Sequence, residues 1–590
     1  MASVLQRGDE TSPWIEKQAG LVQAASARND HQGPQAKASL AMVLDGRILD
    51  GGSLRAEVAA EGVQTGEDAA LLLEAWRLWG ADALHRLRGV FGLAVFDVRD
   101  GVLHLARDRM GVRPLYYCWK DSRIAFASDP RALLVLDWVS ADIAPEELAE
   151  FLSFRYTHAP RTLLRDIRVL PAGHLARVDS TGVRLHRWWA PWYPAPGTPL
   201  PDEAEVRDRL ETTLGRAVGR RMRGEKKVGV LLSGGVASSS VLALARRNPE
   251  VDICAWTVAL EGEVSDESGY GGRVARLFEV DHRVVRVGQT EFLDAVDAVV
   301  RCMGQPVPTP AAVNEYLLCR AASEEAPVLL SGVGADEILG GPRAARLAGE
   351  LLALRVVDRL PRGSRRLAHR TARSLGVSPH WLDPQGSPGL ERGIGGSNVF
   401  DMEGRMSVLR DPAQVRPGMR RTMLEPLYNE AQTDAVNQVL HVYLRGWLAE
   451  DLVLRNDRVS ALAGLELRYP MLDNELVSLC AGWPGGAKIK RRRGRWWGKW
   501  PLRQVLDGAM PDPLIWRPDR GMPTGLNRWL RGAGQGFLEE RIASVCEDPL
   551  GLFQTAWIRE MARAHVREDG DFGAQLWTLI FFDSWWRSLR

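Results

Sequence analysis

Residues 228–243 read VGVLLSGGVASSSVLA, an apolar strand that runs into Ser233, Gly234 and Gly235 and then into small residues opening with Ser238, Ser239 and Ser240. A strand, a Gly-rich turn and a helix in that order line up backbone N–H groups at a helix N-terminus, and such a row is a phosphate cradle. The hydroxyls add donors, and glycines let phosphate oxygens approach the main chain closely. A single SGG is equally compatible with an ordinary strand-to-helix turn. The Walker pattern GxxxxGKS/T is missing from the chain, so this is not a loop of that type. A second turn of similar make-up, SGVGADE at 331–337, follows the short apolar run Val328 to Leu330.

The elements around these turns must place them together. From Asp202 onward strand and helix patterns alternate, with strands expected at Val228 to Leu232, Ile253 to Leu260, Arg283 to Val287 and Val328 to Leu330. Alternation of this kind predicts an α/β unit, a parallel sheet with helices on both faces. Ligands then belong at the carboxyl ends of the strands, where both turns lie. Before Ala190 the pattern differs. Short alternating strands separated by Asp100-Gly101 and Thr181-Gly182, with a helix over Asp68 to Gly80, predict antiparallel hairpins in an α+β unit. Between the two, residues 190–201 (APWYPAPGTPLP) hold five prolines and a glycine and read as a linker. The expected domains are 1–190, a linker 191–205, and 206–590 ending in a helical part. The first 40 residues read as loops or a loosely held edge, and Arg355 to Gly404 as an Arg- and Gly-rich passage.

Bulk properties exclude several classes of function. With 590 residues and a net charge of +2, no global field draws the chain to nucleic acid. Basic runs at Arg220 to Lys227 and Lys488 to Arg495 read as solvated faces that flank the candidate phosphate elements. Six cysteines are scattered without a CxxC pair, which favours a reducing, cytoplasmic setting. No apolar run approaches the ~20 residues of a membrane helix.

Longer motifs carry a resemblance. GVFGLAVFDVRDGVLHLARDRMGVRPLYY (89–117), LPAGHLARV and HRWW are similar to class II glutamine amidotransferase domains, whose fold is of the Ntn-hydrolase kind. LLSGGVASSS, LLSGVGADEILGG, VLRNDRVSALAGLELRYPMLD and KWPLR resemble, in order and spacing, the ATP-pyrophosphatase (adenine nucleotide alpha hydrolase-like) domain of the asparagine synthetase family. The resemblance implies ATP and Mg²⁺ as cofactors. It implies that Ser233, Gly234, Gly235, Ser238 and Ser239 hold pyrophosphate, with Gly332 and Gly334 in the second loop. Trp256, Thr257 and Val258 would present backbone groups to adenine, Asp336 would ligate Mg²⁺, and Lys499 would face the α-phosphate. For Asp336 the alternative is an N-cap for the helix after its turn. Asp457, Arg458, Glu466 and Arg468 look like the family's inner polar network, with buried ion pairs an equal alternative.

The departures from the family pattern set the functional expectation. The glutaminase nucleophile of the family is a cysteine at the mature N-terminus, whereas this sequence reads Met1-Ala2-Ser3 and its first cysteine is Cys118. The family's NGE stretch appears as Asp45-Gly46-Arg47, so a neutral amide donor becomes an acceptor-only carboxylate. The first domain is therefore expected to be a scaffold that does not release ammonia, and the attacking amine to come from the substrate. Relatives lacking the cysteine include β-lactam synthetases and lasso peptide cyclases. Val333 stands where a monocyclic β-lactam maker has a tyrosine and asparagine synthetases tend to have glutamate. The favoured expectation is a lasso peptide cyclase. It would adenylate an Asp or Glu side chain of a precursor peptide and close a macrolactam with the N-terminal amine, releasing AMP and pyrophosphate. A leader-peptide protease and a leader-binding protein would be its partners. Asparagine synthetase or β-lactam synthetase activity, or a catalytically dead nucleotide- or peptide-binding relative, are the alternatives. Finally, Ala237 occupies the family's second metal-binding Asp position in SGGxDSS, which predicts a chain that binds ATP but adenylates slowly.

Overall fold

The computed structural model describes residues 11–16, 19–24, 35–37, 39–49, 51–63, 68–262, 268–346, 399–416, 418–518 and 524–590. Most of the Arg- and Gly-rich passage from Arg355 to Gly404 lies outside the described residues. The polar N-terminal stretch, read above as loops, contains an antiparallel hairpin of β1 (Thr11–Glu16) and β2 (Ala19–Ala24).

The α+β unit is built on a six-stranded antiparallel sheet. Its strands are β3 (Gln35–Lys37), β4 (Leu40–Ile48), β5 (Gly89–Asp97), β6 (Val102–Arg107), β10 (His174–Asp179) and β11 (Gly182–Arg187), in the spatial order β11-β10-β6-β5-β4-β3. A three-stranded sheet, β8 (Arg123–Ala127), β7 (Tyr116–Lys120) and β9 (Arg168–Val169), shares a core with it through Ala94, Leu105, Leu115, Tyr117 and Leu170. Helices Gly51–Ala60 and Asp68–Trp79 cover the outer face of the large sheet with Leu54, Val58, Leu72 and Trp76. On the small sheet's side, helix Pro145–Phe154 shares a second core with Tyr116 and Cys118. The layering is helix, sheet, sheet, helix.

The α/β unit follows a chain segment without regular structure. Its first helix, Glu203–Met222, starts because the Asp202 carboxylate accepts from the N–H groups of Ala204 and Glu205, and it ends with Arg220 and Arg221 at its negative pole. The sheet is wholly parallel, in the order β14-β13-β12-β15-β16. Its strands are β12 (Lys227–Leu231), β13 (Asp252–Leu260), β14 (Asp281–Val287), β15 (Val328–Leu330) and β16 (Glu466–Arg468). The central strands KVGVL and DICAWTVAL are almost continuously apolar because both of their faces are covered, while edge strand β14 (DHRVVRV) is polar and largely open to solvent. Strand β16 was not foreseen in LELR. Three residues delivered from more than 130 positions beyond β15 carry no periodicity that could be read.

Strand order reverses between β12, which leads outward to β13 and β14, and β15, which leads to β16. The carboxyl ends of β12 and β15 flank this switch point, and the SGG and SGVGADE turns follow them there. Beyond β15 the described chain is mainly helical.

Candidate nucleotide site at the switch point

Gly234 turns the chain out of β12 with φ +69°, and a Cβ there would stand 2.7 Å from the Tyr270 carbonyl carbon. Only glycine fits that approach. The Ser233 hydroxyl accepts from the Gly235 N–H at 3.3 Å, and the Ser238 hydroxyl donates to the Gly235 carbonyl at 3.1 Å. Gly235 then opens the ten-residue helix Val236–Ala245 with no side chain capping it, which leaves that end of the helix to a ligand.

The second turn packs directly on the first. A Cβ on Gly332 would lie 2.9 Å from the Ser238 amide nitrogen and 3.1 Å from the Ala237 Cβ, so glycine is required where the loops touch. Gly334, at φ +100°, abuts Leu472 and precedes the short helix Ala335–Leu339. Asp336 is not an N-cap: Gly334 holds that position, and the Asp336 carboxylate, half-exposed, meets the Lys499 ammonium at 2.7 Å. Lys499 is 8 % exposed and sits at φ +53° before helix Trp500–Val505, with its own N–H donated to the Leu339 carbonyl at 3.0 Å. Backbone and side chain together fix its ammonium on the second loop. Beside it Glu337 is buried, and burial followed by the Asp336 charge raises its pKa to about 8.

A cleft of about 470 Å³ opens between these parts. Ser233, Gly235, Ala237, Ser238, Asp336 and Lys499 all line it. Gly332 and Gly334 support the second loop from behind, Gly234 makes the turn, and Ser239 is buried in the helix, its hydroxyl without a partner among the described residues. Trp256, Thr257 and Val258 lie in β13, buried, and do not line the cleft. The Trp256 carbonyl accepts from the Leu232 N–H at 2.8 Å, and the Thr257 hydroxyl binds the Leu232 carbonyl and His282 Nε2, so both brace the base of the SGG turn.

Among the cleft residues that sequence reasoning missed are Arg343, Arg346, Tyr443, Trp447 and Arg517. Arg517 donates to the Ser233 carbonyl at 2.9 Å and lies 4.4 Å over the Tyr270 ring. It reaches the loop from 284 positions away, and no local pattern in WRPDR announces that. Tyr443 and Trp447 arrive on a π-helical stretch, Tyr443–Leu452. Four cationic side chains, two serines and a free helix start suit a triphosphate. A divalent cation fits less fully: among cleft residues Asp336 offers an exposed carboxylate, Ala237 offers none, and among the described residues no cluster of three or more metal-binding side chains exists.

The polar pairs of the second unit form a different structure. Asp457 accepts from Arg113 at 2.6 Å, Arg458 meets Asp129 at 3.1 Å, and Arg47 bridges both oxygens of Glu466 at 2.9 and 3.0 Å. Arg468 binds Glu466 and Glu225. Arg107, fully buried, spends all five N–H donors on the carbonyls of Gly111, Arg113, Leu170 and Ala449 and on Glu450. The pairs of Arg47, Arg113 and Arg458, with the bonds of Arg107 to Glu450 and Ala449, hold the two domains together, and none of these residues lines the cleft. The RDxxG stretch belongs to the same seam, with Asp108 accepting from the N–H groups of Phe91, Met110, Val112 and Arg113.

Comparison with known proteins places this geometry. Residues 209–587 match the family described as asparagine synthase, and residues 2–189 match the glutamine amidotransferase domain. A Mycobacterium bovis chain provisionally named a glutamine-hydrolysing asparagine synthetase is 32% identical over 568 residues, covering 94% of this chain and 85% of its own. The Bacillus subtilis asparagine synthetase 1, also named glutamine-hydrolysing, is 25% identical over 92% of this chain and 85% of its own. Among solved structures, glutamine phosphoribosylpyrophosphate amidotransferase from B. subtilis covers 45% of this chain and 50% of its own at 13% identity, with a TM-score of 0.21 that carries no argument. The breadth of the sequence matches, together with a phosphate cradle at the switch point of a parallel sheet, means that the chain belongs to the asparagine synthase family of ATP-dependent amide-forming synthetases.

Proposed function

We propose that the chain is a lasso peptide cyclase. An Asp or Glu side chain of a precursor peptide attacks the α-phosphate of ATP, giving an acyl-adenylate and pyrophosphate, and the peptide's N-terminal amine then displaces AMP to close a macrolactam. The observation that carries an internal amine is the use made of Asp45-Gly46-Arg47. Arg47 is bound to Glu466 of the other domain, and Asp45 lies 3.9 Å from Arg113, which is itself paired with Asp457. A stretch that would support glutamine in the resembled domain is an interdomain bridge here. The six cysteines are all buried.

In this reading the cleft works mainly by positioning and charge neutralisation. Ser233, Ser238 and the start of helix Val236–Ala245 bind the departing pyrophosphate, and Arg517 keeps the loop in shape. Lys499 offsets negative charge that develops at the α-phosphate. A Mg²⁺ would rest on Asp336, phosphate oxygens and water, supplying further charge neutralisation. Trp256 and Thr257 brace the SGG turn from strand β13 and do not touch the nucleotide. A leader-peptide protease and a leader-binding protein act alongside.

The names of the relatives favour a second reading, asparagine synthesis. ATP–pyrophosphate exchange separates the two, measured on the chain and on its Ala237→Asp variant. Exchange that depends on a precursor peptide supports the cyclase. Exchange with aspartate, together with glutamine hydrolysis, replaces it with the synthetase. No exchange with either, even after Ala237→Asp, leaves a binding protein without turnover.

A further inference from the structure

The π-helical stretch Tyr443–Leu452 forms a wall of the cleft that no motif announced, and it interrupts a continuous helical run between Ala435 and Leu462. Single π-turns cost regular hydrogen bonding and recur at functional sites. Here the turn carries Tyr443 and Trp447 into the cleft. It is also gripped by the first domain, because Arg445 donates to the Ala172 carbonyl at 2.6 Å, and Arg107 holds Glu450 and the Ala449 carbonyl at 3.3 and 3.2 Å.

Tyr443 is 7 % exposed and packs with Phe154, Tyr156, Val439 and Val442, surroundings that would suit phenylalanine. Its hydroxyl is nevertheless buried with no hydrogen-bond acceptor among the described residues: the Arg343 guanidinium beside it can only donate to the phenol oxygen, which leaves the O–H itself unused. A buried hydroxyl left without a full partner costs free energy, so a phenol kept at the wall of a reaction cleft points to a ligand that completes its bonding. Burial also raises its pKa, so the group stays protonated and can donate.

We propose that Tyr443 is a catalytic hydrogen-bond donor for the amide-forming half of the reaction, binding the acyl oxygen as the amine adds. This rests on the amide-forming reading of the cleft. The amine lone pair forms the new C–N bond, and the acyl C=O electrons move onto oxygen, where the Tyr443 O–H donates without transferring its proton. When the carbonyl re-forms, the bond from carbon to the phosphate oxygen breaks, AMP leaves with that electron pair, and the extra proton on nitrogen passes to water. A donor aimed at charge that appears only in this step accelerates it more than it aids substrate binding.

The test uses the full-length chain carrying Ala237→Asp, with and without Tyr443→Phe, on whichever carboxylate substrate supports exchange. Exchange reports adenylation; single-turnover product reports amide formation. Tyr443→Phe is expected to lower amide formation at least tenfold more than it lowers exchange, with a melting temperature equal to or above that of its parent. A stabilised but slower protein is the signature that a packing role would not give. Equal effects on both half-reactions, or product formation within twofold of the parent, overturn the proposal. Tyr443→Leu gives the same ratio test if the phenylalanine variant is poorly folded. Failure of exchange in the Tyr443 parent itself sinks the functional reading, and this inference with it; loss of the differential effect alone sinks only the role of Tyr443.

Discussion

The interdomain seam and the nucleotide cleft are built from the same side chains, arginine, lysine, aspartate and glutamate, and they use them in opposite ways. In the seam the central pairs are closed off: Arg107 has every donor occupied, and Arg113–Asp457 and Arg458–Asp129 are nearly closed to solvent. In the cleft the pairs are half open, since Lys499 is buried while its partner Asp336 is 50 % exposed. Closed pairs give a ligand no access; half-open ones can exchange a protein partner for a phosphate or a cation. Charge alone does not mark a site; charge that stays open to a ligand does.

Substitutions should separate the two regions. The largest effect is expected for Arg107→Ala, which strands Glu450 in the seam and should cost about 3–5 kcal/mol of stability, read as the shift in a denaturant midpoint. A loss below about 1 kcal/mol would remove the distinction. Lys499→Ala should leave stability within about 1 kcal/mol, as expected for a pair with an exposed partner, yet lower exchange in the Ala237→Asp background by roughly 100- to 1,000-fold. Next comes Ala237→Asp itself. A carboxylate at about 4 Å from a cation contributes a few kcal/mol, so exchange should rise roughly a hundredfold; equal activity of the two chains would refute the reading of Ala237.

Glu337 gives a smaller, pH-dependent effect. Its carboxyl pKa stands at about 8 in the fold against 4.5 when exposed, so the neutral form is favoured by folding. Its contribution is complete below pH 4.5 and is lost as pH rises to 8. Glu337→Gln should therefore flatten the decline in stability between about pH 5 and 8, and an unchanged slope would assign that decline elsewhere. The smallest effect is expected for Arg47→Gln, which opens a partly solvated bridge and should cost under about 1 kcal/mol; a larger cost would make the bridge part of the buried seam.

The two regions also differed in how legible they were. The SGG and SGVGADE turns could be read because a glycine forced by close backbone approach, flanked by an apolar strand and a helix start, is a local pattern. The alternation of strand and helix could be read for the same reason, since burial on both faces makes β12 and β13 continuous apolar runs. Asp457, Arg458, Glu466 and Arg468 could be picked out as a polar cluster, but their partners Arg113, Asp129, Arg47 and Glu225 are set by docking of distant segments. Strand β16, the π-turn at Tyr443 and the reach of Arg517 to Ser233 were hidden alike.

By itself the sequence determined the two kinds of sheet and the two Gly-rich turns, because each rests on residue type and spacing within a few turns of chain; Ala237 stood out only through the resemblance to the family's SGGxDSS pattern. Only the tertiary structure decided which charges are spent in the seam and which stay open in the cleft. A side chain's bonding capacity is consumed by whatever folds against it, and for Arg107, Asp336 and Tyr443 those neighbours include residues a hundred or more positions away.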